Sequence, residues 1–250
     1  MPERWQRELH KLKSAQPPGD LWDRVMLGPR RASPAKPGRR WPGWVPPVAA
    51  AGAVIAVVAG SAAVSSTIHG SGATGAASRA HRPIAYVANA GSGTVTPIRT
   101  ATNTALAPIK AGASPAAIVI TPDGKTAYVA NYVYHRGTVT PIRTATNTAL
   151  PPITTGRSPA AIVITPDGKT VYVANFDSGT VTPIRTATNT ALPPIKTGAI
   201  ASAIAITPDG KTAYVANFGS GTVTPVRIAT NTAGKPIKVG RSPAYIAITP

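Results

Sequence analysis

Residues 117–131 read AIVITPDGKTAYVAN, and this stretch decides the fold. Its first part, Ala117–Thr121, is a nearly continuous apolar run, which predicts a strand buried on both faces. Pro122–Lys125 predicts a turn, because proline fixes φ at its start and glycine supplies a positive φ. Ala127–Asn131 then predicts a second strand that returns beside the first.

The same pattern recurs along the chain. The string Tyr-Val-Ala-Asn begins at Tyr86, Tyr128, Tyr172 and Tyr214, with spacings of 42, 44 and 42 residues. Gly-Thr-Val-Thr-Pro and Ala-Thr-Asn-Thr-Ala follow it in every unit. Repeats with a period of roughly 40–50 residues and four strands each are typical of β-propeller blades. The sequence therefore predicts an all-β propeller with about four blades.

The remaining strands of a unit can be placed as well. Thr138–Arg143 predicts the third strand and Pro152–Thr155 the fourth, with a turn at Thr146–Thr148 between them. Pro141 lies inside the third strand and cannot donate to a ladder, so a bulge or a gap in the ladder is expected there. The two extra residues of the second repeat fall in a loop, Tyr132–Arg136.

At residues 83–250 the unit YVAN…SGTVTPIRTATNTALPPIKTGRSPAAIVITPDGKT resembles the YVTN-type β-propeller repeat of surface and extracytoplasmic proteins of bacteria and archaea. The resemblance implies that each TPDG turn follows the innermost strand of a blade and that the fourth strand is outermost. This chain departs from the family pattern at one position of each repeat: the family commonly has Asp after the third strand, whereas this chain has arginine.

These arginines are candidate binding residues. Blade symmetry would arrange them in a ring, and two interpretations are open: four solvated charges copied by duplication, or an anion-binding ring. The four residues are Arg99, Arg143, Arg185 and Arg227.

Three segments precede the repeats. Residues 1–44 form a basic, proline-rich tail with ten Lys/Arg and four acids. Residues 45–64 predict a single transmembrane helix, since 20 residues at ~1.5 Å each span about 30 Å of bilayer. Residues 65–82 predict a Gly/Ser/Ala linker. Basic residues before the apolar segment place the N-terminus in the cytoplasm and the propeller outside the cell. A cleaved signal peptide has the same polarity, but 44 residues are long for its charged region, so we expect a signal anchor.

Composition narrows the chemistry. The chain has no cysteine, which excludes disulfides, thiolate nucleophiles and cysteine-based metal sites. Asp123, Asp167 and Asp209 occupy equivalent turns, which leaves Asp177 as the one other acid of the repeats. The histidines are His10, His69, His81 and His135, and they do not predict a converging set of ligands. We therefore expect no catalytic residues, metal or cofactor.

Net charge points to partners. The formal charge of +18 attracts nucleic acid, anionic lipid or an anionic envelope polymer without distinguishing them. The expected location and the few stacking aromatics argue against nucleic acid, which leaves a protein or an anionic envelope polymer as the expected partner. We expect a membrane-anchored extracytoplasmic binding or scaffold module. The alternative is a lactonase- or lyase-like propeller enzyme with its site on the central channel. Such a site needs residues that differ between blades, and only Tyr132–Arg136 and Asp177 break the symmetry strongly.

The sequence leaves two possibilities for the propeller: a small closed ring of four blades, or part of a larger ring. Ala244–Thr249 could return as the innermost strand of the first unit and close a small ring. However, Thr249-Pro250 lies in the middle of a further TPDG turn, and related propellers more often have seven blades. We therefore expect an incomplete ring, which would invite self-association through its exposed blade faces.

Overall fold

The structure, a computed structural model, describes residues 83–250. These residues form four antiparallel sheets, each a propeller blade, in agreement with the predicted all-β repeat fold. Within this range there is no helix long and apolar enough to cross a bilayer. The predictions for the basic tail, the transmembrane helix and the linker concern residues 1–82, which lie outside the described range.

Each blade uses the same strand order from the inside outward. Blade 1 comprises β1 (Ile84–Asn89), β2 (Thr94–Arg99), β3 (Thr104–Ala105) and β4 (Ile109–Lys110). Blade 2 comprises β5 (Pro115–Ile120), β6 (Thr126–Asn131), β7 (Thr138–Arg143), β8 (Thr148–Ala149) and β9 (Ile153–Thr154). Blade 3 comprises β10 (Pro159–Ile164), β11 (Thr170–Asn175), β12 (Thr180–Arg185), β13 (Thr190–Ala191) and β14 (Ile195–Lys196). Blade 4 comprises β15 (Ala201–Ile206), β16 (Thr212–Asn217), β17 (Thr222–Arg227), β18 (Thr232–Ala233) and β19 (Ile237–Lys238).

The first three predicted strands of blade 2 agree with the observed ones to within two residues, and β7 has the predicted bounds. The predicted fourth strand corresponds to β9, whereas Thr148, expected in the turn, begins the short strand β8. The innermost strands β5, β10 and β15 lie side by side, and each leads through a TPDG turn into the second strand. The order implied by the resemblance is therefore confirmed. A register shift occurs in the innermost strand, between Pro115 and Ala117, rather than at the proline of the third strand.

Pro141 is accommodated by a gap in the outer ladder. It pairs with Tyr128 of β6 in an unbroken register, so the β6 side of the strand contains no bulge. Its carbonyl accepts a hydrogen bond from the Leu150 amide (2.8 Å), which shows that its nitrogen also faces the fourth strand. The fourth strand is split into β8 and β9 at this level, so no ladder donor is needed. Of the two predicted solutions, the gap is the one observed.

The TPDG turn is closed by its own side chains. The Asp123 carboxylate accepts hydrogen bonds from the Thr121 hydroxyl (2.6 Å) and the Lys125 amide (3.0 Å). Gly124 supplies the positive φ, 71°. Asp167 and Asp209 are held in the same way, so the three aspartates are explained by turn chemistry as predicted.

Valines and isoleucines pack between successive blades and form the core. In blades 2 to 4 the valine of the Tyr-Val-Ala-Asn string is 0% exposed, at Val129, Val173 and Val215. β-branched residues are suited to this position because they pack well on a pleated surface that is covered on both sides.

A tyrosine and an asparagine also join neighbouring blades. The Tyr128 hydroxyl of β6 donates to the Asn189 side chain (2.7 Å), which lies in the turn between β12 and β13 of the next blade. Equivalent bonds join Tyr86 to Asn147 and Tyr172 to Asn231. We call this contact the Tyr–Asn bond. It lies outside the predictions from sequence.

A second contact joins the blades at the opposite ends of the strands. The buried Asn175 donates through Nδ2 to the hydroxyls of Thr180 and Thr182. Gly156, in the link that precedes blade 3, packs directly on this amide, and a Cβ there would lie 2.7 Å from Asn175 Cγ. Gly112 packs on Asn131 and Gly198 packs on Asn217 in the same manner. We call this contact the Gly–Asn contact.

The two ends of the described blades differ from their centre. The sheet of blade 1 begins at β1 and lacks an innermost strand, and residues 243–250 carry no strand assignment. The closure considered for Ala244–Thr249 is therefore not formed, since β1 pairs only with β2. Whether the complete protein closes its ring stays a prediction.

Candidate functional site

The strands present turns at one end and loops at the other. The TPDG turns and the turns between the third and fourth strands lie together, as the bond from the Thr144 amide to the Lys125 carbonyl (3.0 Å) shows. We call this end of the blades the turn face. The opposite end, the loop face, carries the loops between second and third strands and the links that lead into the next blade.

The structure brings together on the loop face the two features that break the repeat symmetry. The Tyr132–Arg136 loop of blade 2 and Asp177 of blade 3 meet at Ser158. The Ser158 amide donates to the Val133 carbonyl (3.1 Å), and its hydroxyl donates a short hydrogen bond to the Asp177 carboxylate. We call these residues, together with Arg157 and Phe176, the blade 2–3 cluster.

Arg157 and Ser158 hold Asp177 in place. The Arg157 amide donates to the Ser178 hydroxyl (2.6 Å), and its guanidinium donates to the Asp177 carbonyl (3.2 Å). Ser158 is fully buried and has a positive φ of 53°. A backbone held in this left-handed region by several hydrogen bonds is a rigid platform. The loop therefore has a defined position relative to blade 3.

Aromatic rings surround the same position. The rings of Tyr132 and Phe176 pack in a tilted arrangement with centroids 6.4 Å apart. Tyr134 is 59% exposed, and its ring makes an edge contact with His135 at 4.7 Å. Tyr134, His135 and Arg136 are all exposed, so the tip of the loop presents two aromatic rings and a cation to solvent.

The surroundings of Tyr132 make its hydroxyl harder to ionise than that of a free tyrosine. Burial raises the pKa of its hydroxyl, and the negative charge of Asp177 raises it further. Tyr132 therefore remains a hydrogen-bond donor and acceptor at physiological pH.

This arrangement is suited to binding. Ser158 is buried beneath the loop, so its hydroxyl positions the Asp177 carboxylate and does not reach a substrate. The solvent-facing groups are an aromatic pair and two exposed arginines, Arg136 and Arg157. Guanidinium groups bind carboxylate and phosphate through paired N–H donors, and exposed rings supply a flat contact surface.

The four candidate arginines lie on the other face. Arg99, Arg143, Arg185 and Arg227 are each the exposed last residue of a third strand, on the turn face. None forms a salt bridge with an acid of residues 83–250. Their arrangement as a ligand-binding ring stays a prediction. In blade 2 the residue after the arginine, Thr144, donates through Oγ1 to the Gly124 carbonyl (2.6 Å) of the neighbouring TPDG turn, whereas blade 4 has Ile228 at this position.

Two other features of the described blades are separate from the cluster. No group of three His, Asp, Glu or Cys side chains comes together within residues 83–250. A shallow cleft of about 550 Å³ lies at blade 1, lined by small residues, Ser92, Ser114 and Lys110. The cleft has no aromatic lining, so we consider the blade 2–3 cluster the better candidate site.

Sequence reasoning identified the irregular loop and Asp177 but missed Arg157, Ser158 and Phe176. Ser158 has counterparts in the Ser-Pro pairs at Ser114 and Ser242, and a turn explains all three equally well. Ser158 differs from the other two serines in its neighbours, since it contacts both the irregular loop and Asp177. Those neighbours can be recognised only in the three-dimensional structure.

Comparisons with known proteins identify the fold. A family model described as "Lactonase, 7-bladed beta-propeller" matches residues 80–196. Kuenenia stuttgartiensis hydrazine synthase resembles the chain with 26% identity and a TM-score of 0.57 over 62% of this chain. A functionally unknown protein from Desulfotomaculum acetoxidans DSM 771 resembles it with 20% identity and a TM-score of 0.59 over 66% of this chain.

These matches support a β-propeller family. The chain spans about half the length of the two solved structures, 46% and 55% respectively. No curated protein matches the sequence. Residues 80–196 of this chain, which match the lactonase model, include the whole blade 2–3 cluster.

Proposed function

We propose that this protein is a membrane-anchored extracytoplasmic binding module whose propeller recognises an anionic envelope polymer. The membrane anchor is the apolar segment 45–64, and the positive charge of residues 83–250 favours a polyanion. Those residues contain 14 Lys/Arg and four Asp.

The observation that carries this proposal is the blade 2–3 cluster. It is the place where near-identical blades differ, and its backbone is fixed by hydrogen bonds before any ligand arrives. Preorganisation lowers the entropy lost on binding. Tyr134 and Arg136 then provide a stacking surface and a charge at the exposed tip of the loop.

The test is a binding measurement with full-length protein in detergent. Polyphosphate and polyglutamate serve as phosphate and carboxylate probes, and neutral dextran is the negative control. The double variant Arg136→Ser/Arg157→Ser removes two cations from the loop face. We expect it to weaken binding of one probe by about tenfold, which corresponds to about 1.4 kcal/mol.

A matched control removes the same charge from the same two blades. Arg143→Ser/Arg185→Ser deletes two exposed arginines of the turn face and should retain most of the affinity. Equal losses in both variants would mean that only net charge attracts the polymer. A loss confined to the turn-face variant would favour the arginine ring instead.

The second candidate is a lactonase-like enzyme, favoured by the family match over the region that contains Asp177. In that mechanism the Asp177 side chain would be the general base: it takes a proton from a water molecule while the water oxygen attacks a lactone carbonyl. The test is hydrolysis of a panel of sugar lactones, followed by proton release at constant pH. Turnover that Asp177→Asn abolishes, with the fold intact, would support the enzyme and contradict a purely binding role.

A further inference from the structure

Blades 2 and 3 carry more Lys and Arg than Asp on both faces, but their aromatic rings reach solvent on the loop face alone. The two tyrosines whose hydroxyls reach the turn face, Tyr128 and Tyr172, are 1% exposed. On the loop face, Tyr132 and Phe176 are half-buried and Tyr134 is 59% exposed. A ligand attracted by charge alone makes no use of rings, so this face is suited to a ligand that also has flat apolar surfaces.

The backbone fixes the rings of Tyr132 and Phe176 at a set distance. These residues occupy equivalent repeat positions, directly after the last residue of β6 and of β11. The Tyr132 amide donates to the Ser114 carbonyl (2.8 Å), and the Phe176 amide donates to the Ser158 carbonyl (2.9 Å). The two ring centroids lie 6.4 Å apart. The pair is therefore in position before a ligand binds, which lowers the entropy lost on binding.

Ile200 departs from the repeat at the corresponding point of the next link. Its φ is 61°, and isoleucine rarely adopts this left-handed conformation because its side chain is β-branched. The equivalent residues of the two preceding links are Ser114 and Ser158, with φ values of 49° and 53°. The Phe218 amide donates to the Ile200 carbonyl (2.8 Å) and holds the strained residue in place. Strain of this kind concentrates at ligand sites, so Ile200 is a candidate contact residue.

The surroundings of Ile200 are apolar where those of Ser158 are charged. Gly219 occupies the repeat position that Asp177 occupies in blade 3, and a Cβ at Gly219 would lie 3.0 Å from Ile200 Cδ1. The hydrogen bond between Ser158 and Asp177 is thus replaced in blade 4 by an isoleucine side chain beside a glycine. That side chain is half-buried, so part of its apolar surface faces solvent.

Links and loops alternate around the loop face. The link at Ser158 lies between the loops of blades 2 and 3. The next link is attached to the loop of blade 3 by the hydrogen bond from the Thr197 amide to the Gly179 carbonyl (3.1 Å). Ile200 therefore lies between the loops of blades 3 and 4, next along this face from the ring pair. We call the following four residues the apolar track: Tyr132, Tyr134, Phe176 and Ile200.

Cations border the apolar track. Arg136 in the loop of blade 2 and Arg157 in the link to blade 3 are both exposed. Lys196 is exposed where β14 pairs with the first residue of β12, at the same end of the strands. The one acid of blades 2 and 3 on this face, Asp177, accepts a hydrogen bond from the Ser158 hydroxyl. The loop face thus combines apolar surface with a surplus of positive charge.

We propose that the apolar track binds a polymer of carboxylated sugars, with the sugar rings against the track and the carboxylates at Arg136 and Arg157. The faces of a sugar ring present C–H groups, which pack on aromatic and aliphatic side chains. Guanidinium groups bind carboxylates through paired N–H donors. A polyphosphate lacks the rings and a neutral glucan lacks the charge. This class of ligand rests on the proposed function, since a carboxylated polysaccharide is one kind of anionic envelope polymer.

Three polymers separate the contribution of rings from that of charge in a binding measurement with full-length protein in detergent. Polygalacturonate carries rings and carboxylates, polyglutamate carries carboxylates without sugar rings, and dextran carries rings without charge. At one ionic strength and equal carboxylate concentration, we expect polygalacturonate to bind about tenfold more tightly than polyglutamate. Equal or reversed affinities would overturn this proposal and leave the anionic-polymer function standing. Failure of every anionic probe to bind would overturn both.

Two substitutions remove apolar surface without changing charge. Tyr134→Ser acts at an exposed ring, and Ile200→Ser gives blade 4 the serine of the other links. We expect the double variant to bind polygalacturonate about tenfold more weakly and polyglutamate as the wild type does. An equal loss for both polymers would overturn the proposal. Tyr134→Ser alone gives the same comparison at an exposed loop position if the double variant does not fold.

The matched control lies on the turn face. Ile228→Thr also replaces a half-buried isoleucine of blade 4 by the residue of the preceding repeats. It should bind both polymers as the wild type does. A loss of polygalacturonate binding as large as that of the loop-face variant would show that the apolar track is not the site.

Discussion

The hydroxyl of Tyr128 lies 2.7 Å from the Asn189 side-chain oxygen, and this bond crosses from blade 2 to blade 3. Asn189 also sits in the left-handed region, with a φ of 52°. Asparagine tolerates this conformation better than most residues, so one side chain both permits the turn and accepts the bond. The turn geometry of one blade is thereby coupled to the position of the preceding blade.

Removing this bond should destabilise the propeller moderately. Tyr128→Phe deletes the donor and leaves the Asn189 oxygen unpaired, and we expect a loss of about 1 kcal/mol in the free energy of unfolding. Asn189→Gly keeps the positive φ and should cost a similar amount. Asn189→Ala should cost more, because it adds backbone strain to the lost bond. Urea unfolding of the three variants tests this order, and an Asn189→Ala protein as stable as Asn189→Gly would contradict it.

The same tyrosines should make the fold sensitive to strong alkali. Burial, with a smaller contribution from the nearby Asp123 and Asp167 charges, raises the pKa of Tyr128 and Tyr172 to about 12 from 10.0. The unfolded chain ionises first, so the stabilisation is complete below pH 10 and is lost as the pH rises to about 12. Unfolding free energy should fall across this window. Tyr128→Phe/Tyr172→Phe should flatten that decline, and an unchanged slope would contradict the assignment.

Acid should act through the TPDG turns. The Thr121 hydroxyl and the Lys125 amide hold the pKa of Asp123 below 3.8, and Asp167 and Asp209 are lowered by the same contacts in their own turns. Because the pKa of these carboxyl groups is lower in the folded protein than in the unfolded chain, their ionisation adds to the free energy of unfolding above pH 3.8. This contribution is lost as the pH falls through the pKa of the folded state. The triple Asp→Asn variant should therefore show a melting temperature that changes less below pH 4. An equally steep acid decline in this variant would locate the effect elsewhere.

Gly156 should resist substitution for a steric reason. Its φ is not in the left-handed region, so alanine strains no backbone dihedral there. The added Cβ would lie 2.7 Å from Asn175 Cγ, and the amide would have to move from its two threonine partners. We expect Gly156→Ala to cost about 1–3 kcal/mol in urea unfolding, as overpacking does. A wild-type midpoint would show that Asn175 can relax freely.

The blade architecture could be predicted from the sequence because each strand is bounded by residues with one local meaning. Pro122–Lys125 predicts a turn because of its proline and glycine. Ala117–Thr121 predicts a buried strand because it is short and almost entirely apolar. Pro141 illustrates the limit of this reasoning. The sequence required a break in the ladder but could not locate it, since the side to which the nitrogen points depends on the pairing register.

Contacts between blades were beyond the sequence for a different reason. Tyr128 and Asn189 are 61 residues apart, and each has a sufficient local explanation as a strand residue and a turn residue. The same is true of Gly156 and Asn175. Part of the candidate site could be predicted, because Asp177 and the Tyr132–Arg136 loop differ from the equivalent positions of the other repeats. Ser158 could not be predicted as a site residue, because the same Ser-Pro pair occurs in other repeats.

At each interface the tyrosine and the glycine of one blade contact two asparagines of the next blade, through the Tyr–Asn bond and the Gly–Asn contact. Every repeat contains all four of these residues. A gene that gained or lost one 42-residue unit would re-form the same junction without any compensating substitution. The number of blades is thus open to change by recombination between repeats, while the chemistry of the junction stays constant. Differences in function can then accumulate in single loops, as in the loop from Tyr132 to Arg136, without disturbing the units that carry them.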